Sequence, residues 1–110
     1  MSHDELKRLH EEIERICEGP DRLLDDLRDG VFPKATFMRF EKKVREYRDL
    51  LRKHPKMDRS MAGLLYSIQF SLAMTLQKSH EADSTSKETK LIVETWDRFE
   101  GLMADIYYGD

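Results

Sequence analysis

The sequence predicts an all-α fold, a compact bundle of four to five helices around a central apolar helix. Three observations carry that expectation. Apolar residues recur at three–four spacing along most of the 110 residues. No segment alternates apolar with polar as a half-buried strand would. All three prolines fall between periodic segments, where a helix has to stop or start. Hydrophobic residues at 39% beside 37% charged residues suit a packed helical chain rather than a disordered one. The length allows one modest core, so residues 1–110 are read as a single domain.

Each element has its own signals. Ser2 or Asp4 is placed to cap a first helix whose Leu6, Leu9, Ile13 and Ile16 form one stripe. Gly19-Pro20 ends it, because proline disfavours helical backbone at the residue before it. A short amphipathic turn follows with Leu23, Leu24 and Leu27, closed by Asp29-Gly30. Phe32-Pro33 opens a third helix, in which Phe37, Phe40, Val44, Tyr47 and Leu51 keep the period over four turns. His54-Pro55 stops it, and Asp58 caps the fourth.

In the fourth helix Met61, Leu65, Ile68, Leu72 and Leu76 form one apolar face, with Tyr66, Phe70, Ala73 and Met74 on the other side. A helix apolar nearly all round is expected at the centre, contacted from several directions. Ser60–Gln77 carries no charge, but its serines, threonine and glutamines argue for a core helix rather than a membrane span. Lys78–Ser84 reads as the one long loop. Thr85 and Glu88 then form a capping box before a last helix facing inward through Ile92, Trp96, Phe99, Met103 and Ile106.

Charge is segregated along the chain. The net charge of −3 is the sum of acidic ends and a basic middle: the first 30 residues balance to −5, Val31–Lys56 to +6, Met57–His80 to +1 and the remainder to −5. Such a pattern speaks to partners rather than fold. On the third helix Arg45, Arg48 and Arg52 fall on one stripe beside the apolar face, and Arg39, Lys42 and Lys53 continue the basic sector. That array suits phosphates along a nucleic-acid strand, with guanidinium groups also able to stack on bases. The alternative is ordinary i,i+4 pairing on a solvated face, Glu41 with Arg45 and Asp49 with Lys53.

Few other chemistries find support. The chain has no paired-cysteine motif, Gly-rich phosphate loop or His-Glu-x-x-His pattern, so no cofactor or metal is expected. His10, Glu11 and Glu14 share one turn but read as a wet helix face. The single cysteine, Cys17, lies beside the first helix's apolar stripe and reads as a small buried hydrophobe. With no disulfide framework and no apolar leader, the chain is expected to be cytoplasmic.

Arg48 and His54, with five residues between them, resemble the Arg-x(4–6)-His signature of helical HEPN ribonucleases. The resemblance implies a histidine assisting proton transfer from a ribose hydroxyl and an arginine stabilising phosphate charge. A second resemblance spans about residues 33–109. Thr36-Phe37-Met38-Arg39-Phe40 with Lys43-Val44-Arg45-Glu46-Tyr47, and Phe99-Glu100-Gly101-Leu102-Met103-Ala104 with Tyr107-Tyr108-Gly109, resemble helices of the small subunits of type III CRISPR effector complexes. Gly63-Leu64-Leu65-Tyr66-Ser67-Ile68-Gln69-Phe70, after Pro55, is similar to an apolar helix of the sister subtype.

That resemblance implies a non-catalytic subunit for antiviral defence. It would stack with copies of itself and with other effector subunits, and contact guide and target RNA. Arg39, Arg45 and Arg48 match that contact role by position. The expectation is therefore a non-enzymatic helical subunit of an RNA-guided complex. A helical protein-interaction module, such as a chaperone or adaptor, and the HEPN-like ribonuclease are the alternatives.

Overall fold

A computed structural model describes residues 2–53 and 56–109. Those residues form five helices: α1 (Ser2–Glu18), α2 (Leu23–Arg28), α3 (Lys34–Leu51), α4 (Arg59–Ala82) and α5 (Lys87–Tyr108). The bundle is all-α, as its periodicity predicts. α3 packs chiefly on α1 and also on α5, while α4 packs on α2, on α5 and more lightly on α1. Side-chain pairs fix the directions. Lys43 meets Glu12 and Arg39 meets Asp21, so α3 runs antiparallel to α1. Arg98 meets Glu41 and Asp105 meets Arg48, so α5 runs parallel to α3. Gln69 meets Glu100 and Ser79 meets Thr89, which makes α4 and α5 an antiparallel hairpin.

The four long helices thus close a ring, with α2 wedged between α1 and α4. Their buried side chains form one cluster, including Ile13 from α1, Leu23 and Leu27 from α2, Phe37 and Phe40 from α3, Leu65 and Leu72 from α4, and Phe99 from α5. Phe32, Phe37, Phe40 and Phe99 pack ring against ring with centroids 5.4–5.7 Å apart, in tilted or edge-on arrangements that aromatic quadrupoles favour. A polar tie reinforces the wedge: the buried Thr75 hydroxyl reaches the Leu27 carbonyl at 2.8 Å and the Ser71 carbonyl at 2.9 Å.

Element boundaries follow the local chemistry with instructive shifts. α1 already includes Ser2, so Asp4 sits within its first turn, complementing the helix dipole, rather than ahead of it as a cap. Gly19 closes that helix as expected, its N–H reaching the Arg15 carbonyl at 2.9 Å. Gly30 takes φ +81°, a left-handed turn that a side chain would strain. Pro33 is the residue before α3 rather than its first member, and its carbonyl accepts the Phe37 N–H. α3 ends at Leu51, leaving Arg52 and Lys53 in a turn; the His54-Pro55 stop signal lies outside the described residues. Asp58 caps α4 as predicted, accepting the Ser60 N–H at 2.8 Å.

The expected long loop is mostly helix. α4 continues to Ala82, because Lys78–Ala82 contains no breaker and Ser79 is held against α5 by Thr89. The cap of α5 also moves by one residue. The Asp83 carboxylate takes both the N–H and the hydroxyl of Thr85, at 3.0 and 2.8 Å, so Ser86 becomes the cap and accepts the Thr89 N–H at 3.0 Å. The Thr85–Glu88 capping box is therefore replaced by Ser86 and Thr89. α4 does meet three neighbours, yet its second apolar side stays in water: Tyr66 is 64% exposed, Phe70 57% and Met74 42%.

Candidate nucleic-acid interface on the third helix

α3 buries Phe37, Phe40, Val44 and Tyr47 against the core, which turns the opposite half of the helix to solvent. Of the six predicted contact residues, Arg39, Lys42 and Arg45 project from that half, and Arg52 and Lys53 extend it through the closing turn. All five are exposed. Arg48 differs: its side chain is only 22% exposed and braced between two carboxylates, Asp49 at 3.2 Å and Asp105 of α5 at 3.3 Å. It is a strut between α3 and α5 rather than an open phosphate contact.

The acids around the basic residues set how much positive charge is available. Arg39 lies 3.4 Å from Asp21, and Arg52 lies 3.9 Å from Asp49. Both are pairs between exposed groups, which contribute about 0–1 kcal/mol and exchange readily with another anion. Arg45 lies 3.5 Å from Glu41. The expected Asp49–Lys53 pair does not form; Asp49 turns toward Arg48 and Arg52 instead.

Glu41 departs from what its spacing suggests. The i,i+4 contact with Arg45 forms, yet only 1% of Glu41 is exposed, so it is not on a solvated face. Arg98 of α5 grips its two carboxylate oxygens through Nε and Nη2, each at 3.1 Å, in the fork geometry that suits arginine to carboxylate. Hydrogen bonding to Glu41 raises the Arg98 guanidinium above its ordinary pKa, against a smaller opposing effect of burial. A signal was present. Glu41 lies four residues after Phe37 and three before Val44, inside the apolar register.

A second candidate lies at the end of the bundle where α1, α3 and α4 meet. A cleft of about 460 Å³ is lined by residues including His10, Glu14, Tyr47 and Asp58. The Ser60 hydroxyl donates to Asp58 at 2.7 Å and sits 3.4 Å from His10 Nε2, and that same nitrogen lies 3.3 Å from Glu14. A hydrolytic triad needs the nucleophile and the orienting acid on opposite ring nitrogens. Here both partners face Nε2, and the serine proton is directed to a capping aspartate, so the cluster is a helix cap beside a His10–Glu14 contact. Among the described residues no group of three acidic, histidine or cysteine side chains is arranged to hold a metal ion.

Two further readings bear on the site. Of the Arg48–His54 pair, Arg48 is held by Asp49 and Asp105, and His54 lies outside the described residues. Among the described residues no helix is long and apolar enough to cross a membrane. No protein-family model matches the chain, and no curated protein or solved structure matches it significantly, so the site is read from its own residues.

Proposed function

We propose that this chain is a non-catalytic helical subunit of an RNA-guided nucleoprotein assembly, of the kind implied by its resemblance to type III CRISPR small subunits. It meets RNA through the solvent half of α3. The observation that supports this reading is the shared exposure of Arg39, Lys42, Arg45, Arg52 and Lys53 on one surface. The acids beside Arg39 and Arg52 are exposed partners that a phosphate displaces at little cost. Recognition of this kind follows the backbone charge and carries little sequence preference.

Fluorescence anisotropy with a single-stranded RNA oligonucleotide tests the proposal. Affinity should fall with salt, with a log–log slope of about −0.7 for each phosphate neutralised. Lys42→Glu with Lys53→Glu should weaken binding in a chain that remains folded. Arg48→Glu should lower the melting temperature instead, because it sets an acid against Asp49 and Asp105. His54→Ala should change neither binding nor RNA integrity. Cleavage that disappears in His54→Ala would sink the non-catalytic reading in favour of the ribonuclease.

A protein-interaction module is the second reading, and one observation favours it: the unpartnered aromatic side of α4. It takes over if the assembled complex leaves the α3 surface away from nucleic acid. The acidic ends of the chain would then dock on the basic surface of neighbouring copies, an association weakened by screening salt.

A further inference from the structure

We infer that two copies of this chain pair through α4, antiparallel about a two-fold axis at Phe70, in an interface separate from the basic face of α3. The sequence of α4 is laid out symmetrically about that residue. Arg59, Gly63 and Tyr66 precede Phe70, and Met74, Gln77 and Glu81 follow it. The intervals are four, three and four residues on the way in and the same on the way out. At about 100° per residue, this places all seven on one narrow stripe of the helix.

That stripe is the side of α4 turned away from the core. Phe70 and Tyr66 stack with ring centroids 6.4 Å apart and remain more than half exposed, and Met74 is 42% exposed. Val93 of α5 is also exposed and lines a groove with Ala73, Leu76 and Gln77 along the flank of the stripe. Their exposures, against aromatic and methionine areas of about 200 Å², leave on the order of 300 Å² of the three in water. That matches the largest apolar patch on a typical monomer, and such patches are often functional. The buried side chains of α4 face the other way.

Self-complementarity identifies the occupant. A two-fold interface sets residue i against residue j and j against i, so a self-pairing helix has to be complementary to its own reversal. Antiparallel pairing about Phe70 satisfies this at every layer. The cation Arg59 meets the anion Glu81, twice, and both are exposed. The bare backbone at Gly63, with open space where a side chain would stand, meets the long Gln77. Tyr66 meets the thioether of Met74, a favourable sulfur–aromatic contact. Phe70 meets itself. Parallel pairing would instead set Arg59 against Arg59 and Glu81 against Glu81. Charge at the ends therefore selects the direction, and the uncharged run between them, Ser60–Gln77, supplies the dry centre.

Sedimentation velocity on the full chain tests the pairing, from about 1 μM to about 500 μM, spanning the weaker end of affinities found for such interfaces. A monomer–dimer equilibrium is expected that persists at high salt, unlike association through the charged ends of the chain. Phe70→Glu should raise the dissociation constant at least tenfold while the melting temperature is kept, since Phe70 lies outside the core. Arg59→Glu and Glu81→Arg should each weaken the dimer, and the double exchange should restore it.

Cysteine cross-linking reads the direction. Phe70→Cys should form a disulfide-linked dimer with itself, and Arg59→Cys should link to Glu81→Cys in a mixed sample but not to itself. Three results would overturn the inference: a monomer across the whole range, a dimer indifferent to Phe70→Glu, or self-linking Arg59→Cys. The first, together with a different helical protein bound on this face, would assign the stripe to that partner instead.

Discussion

At the scale of single residues, burial decides what each polar group contributes. Glu41 and Arg98 make the clearest pair, since one partner is buried and the other is half exposed. Removing the arginine leaves a carboxylate inside the bundle with only Arg45 near it, whereas removing the acid leaves a guanidinium free to turn into water. Arg98→Ala should therefore cost about 3 kcal/mol, and Glu41→Gln clearly less. Chemical denaturation of the two variants would check the order, and a larger loss in Glu41→Gln would contradict it.

Cys17 is governed by the same logic. Burial first, and then the nearby charges of Glu18 and Glu14, push its thiol far above the ordinary range. A colourimetric thiol reagent should react with it slowly in the folded chain and fast in denaturant. Rapid labelling under native conditions would mean that α1 opens locally.

At the scale of elements, caps and turns fix where each helix begins. Ser86→Ala should cost about 1 kcal/mol, because it leaves the Thr89 N–H without its acceptor. Thr85→Ala should cost less, since Thr85 belongs to the Asp83 turn. Thermal melts of both would separate the observed cap from the one that sequence spacing suggests.

The capping carboxylates also set an acid limit. Asp58 is held below its ordinary pKa by hydrogen bonds from the Ser60 hydroxyl and backbone, and Asp83 by those from the Thr85 backbone and hydroxyl. A folded-state pKa below the unfolded one contributes stability that is fully present above the unfolded value, about 3.9, and is lost as pH falls through the folded value. Melting temperature should therefore drop below about pH 4, and less steeply in Asp58→Asn/Asp83→Asn. An unchanged acid limb in that variant would assign the loss to other carboxylates.

At the scale of the whole molecule, the core depends on α4. Leu65 and Leu72 are fully buried, so Leu65→Ala or Leu72→Ala should each cost about 2–5 kcal/mol. Glu81→Ala, on the exposed end of the same helix, should be nearly neutral in stability. Urea unfolding measures all three on one scale, and comparable losses at Leu72 and Glu81 would show that the core lies elsewhere. The same helix thus carries two apolar faces with different work. One holds the monomer together, and the other is open to a partner.

The sequence alone determined the helical class, the apolar register of each helix, the Gly19-Pro20 break and the Asp58 cap. These are local properties, set by side-chain period and by backbone restrictions within a few residues. The segregation of charge was equally legible, because it needs only counting. Tertiary structure decided the rest. It made Arg48 a strut by bringing Asp105 to it from 57 residues away, and it buried Glu41 by supplying Arg98 across the same interval. It also determined which side of an almost uniformly apolar helix would face the core. Periodicity shows that α4 has two apolar sides, but only the placement of α1, α2 and α5 around Leu65 and Leu72 leaves Tyr66, Phe70 and Met74 in water. Burial is a property of neighbours in space, and a single chain read in order does not say which neighbours arrive.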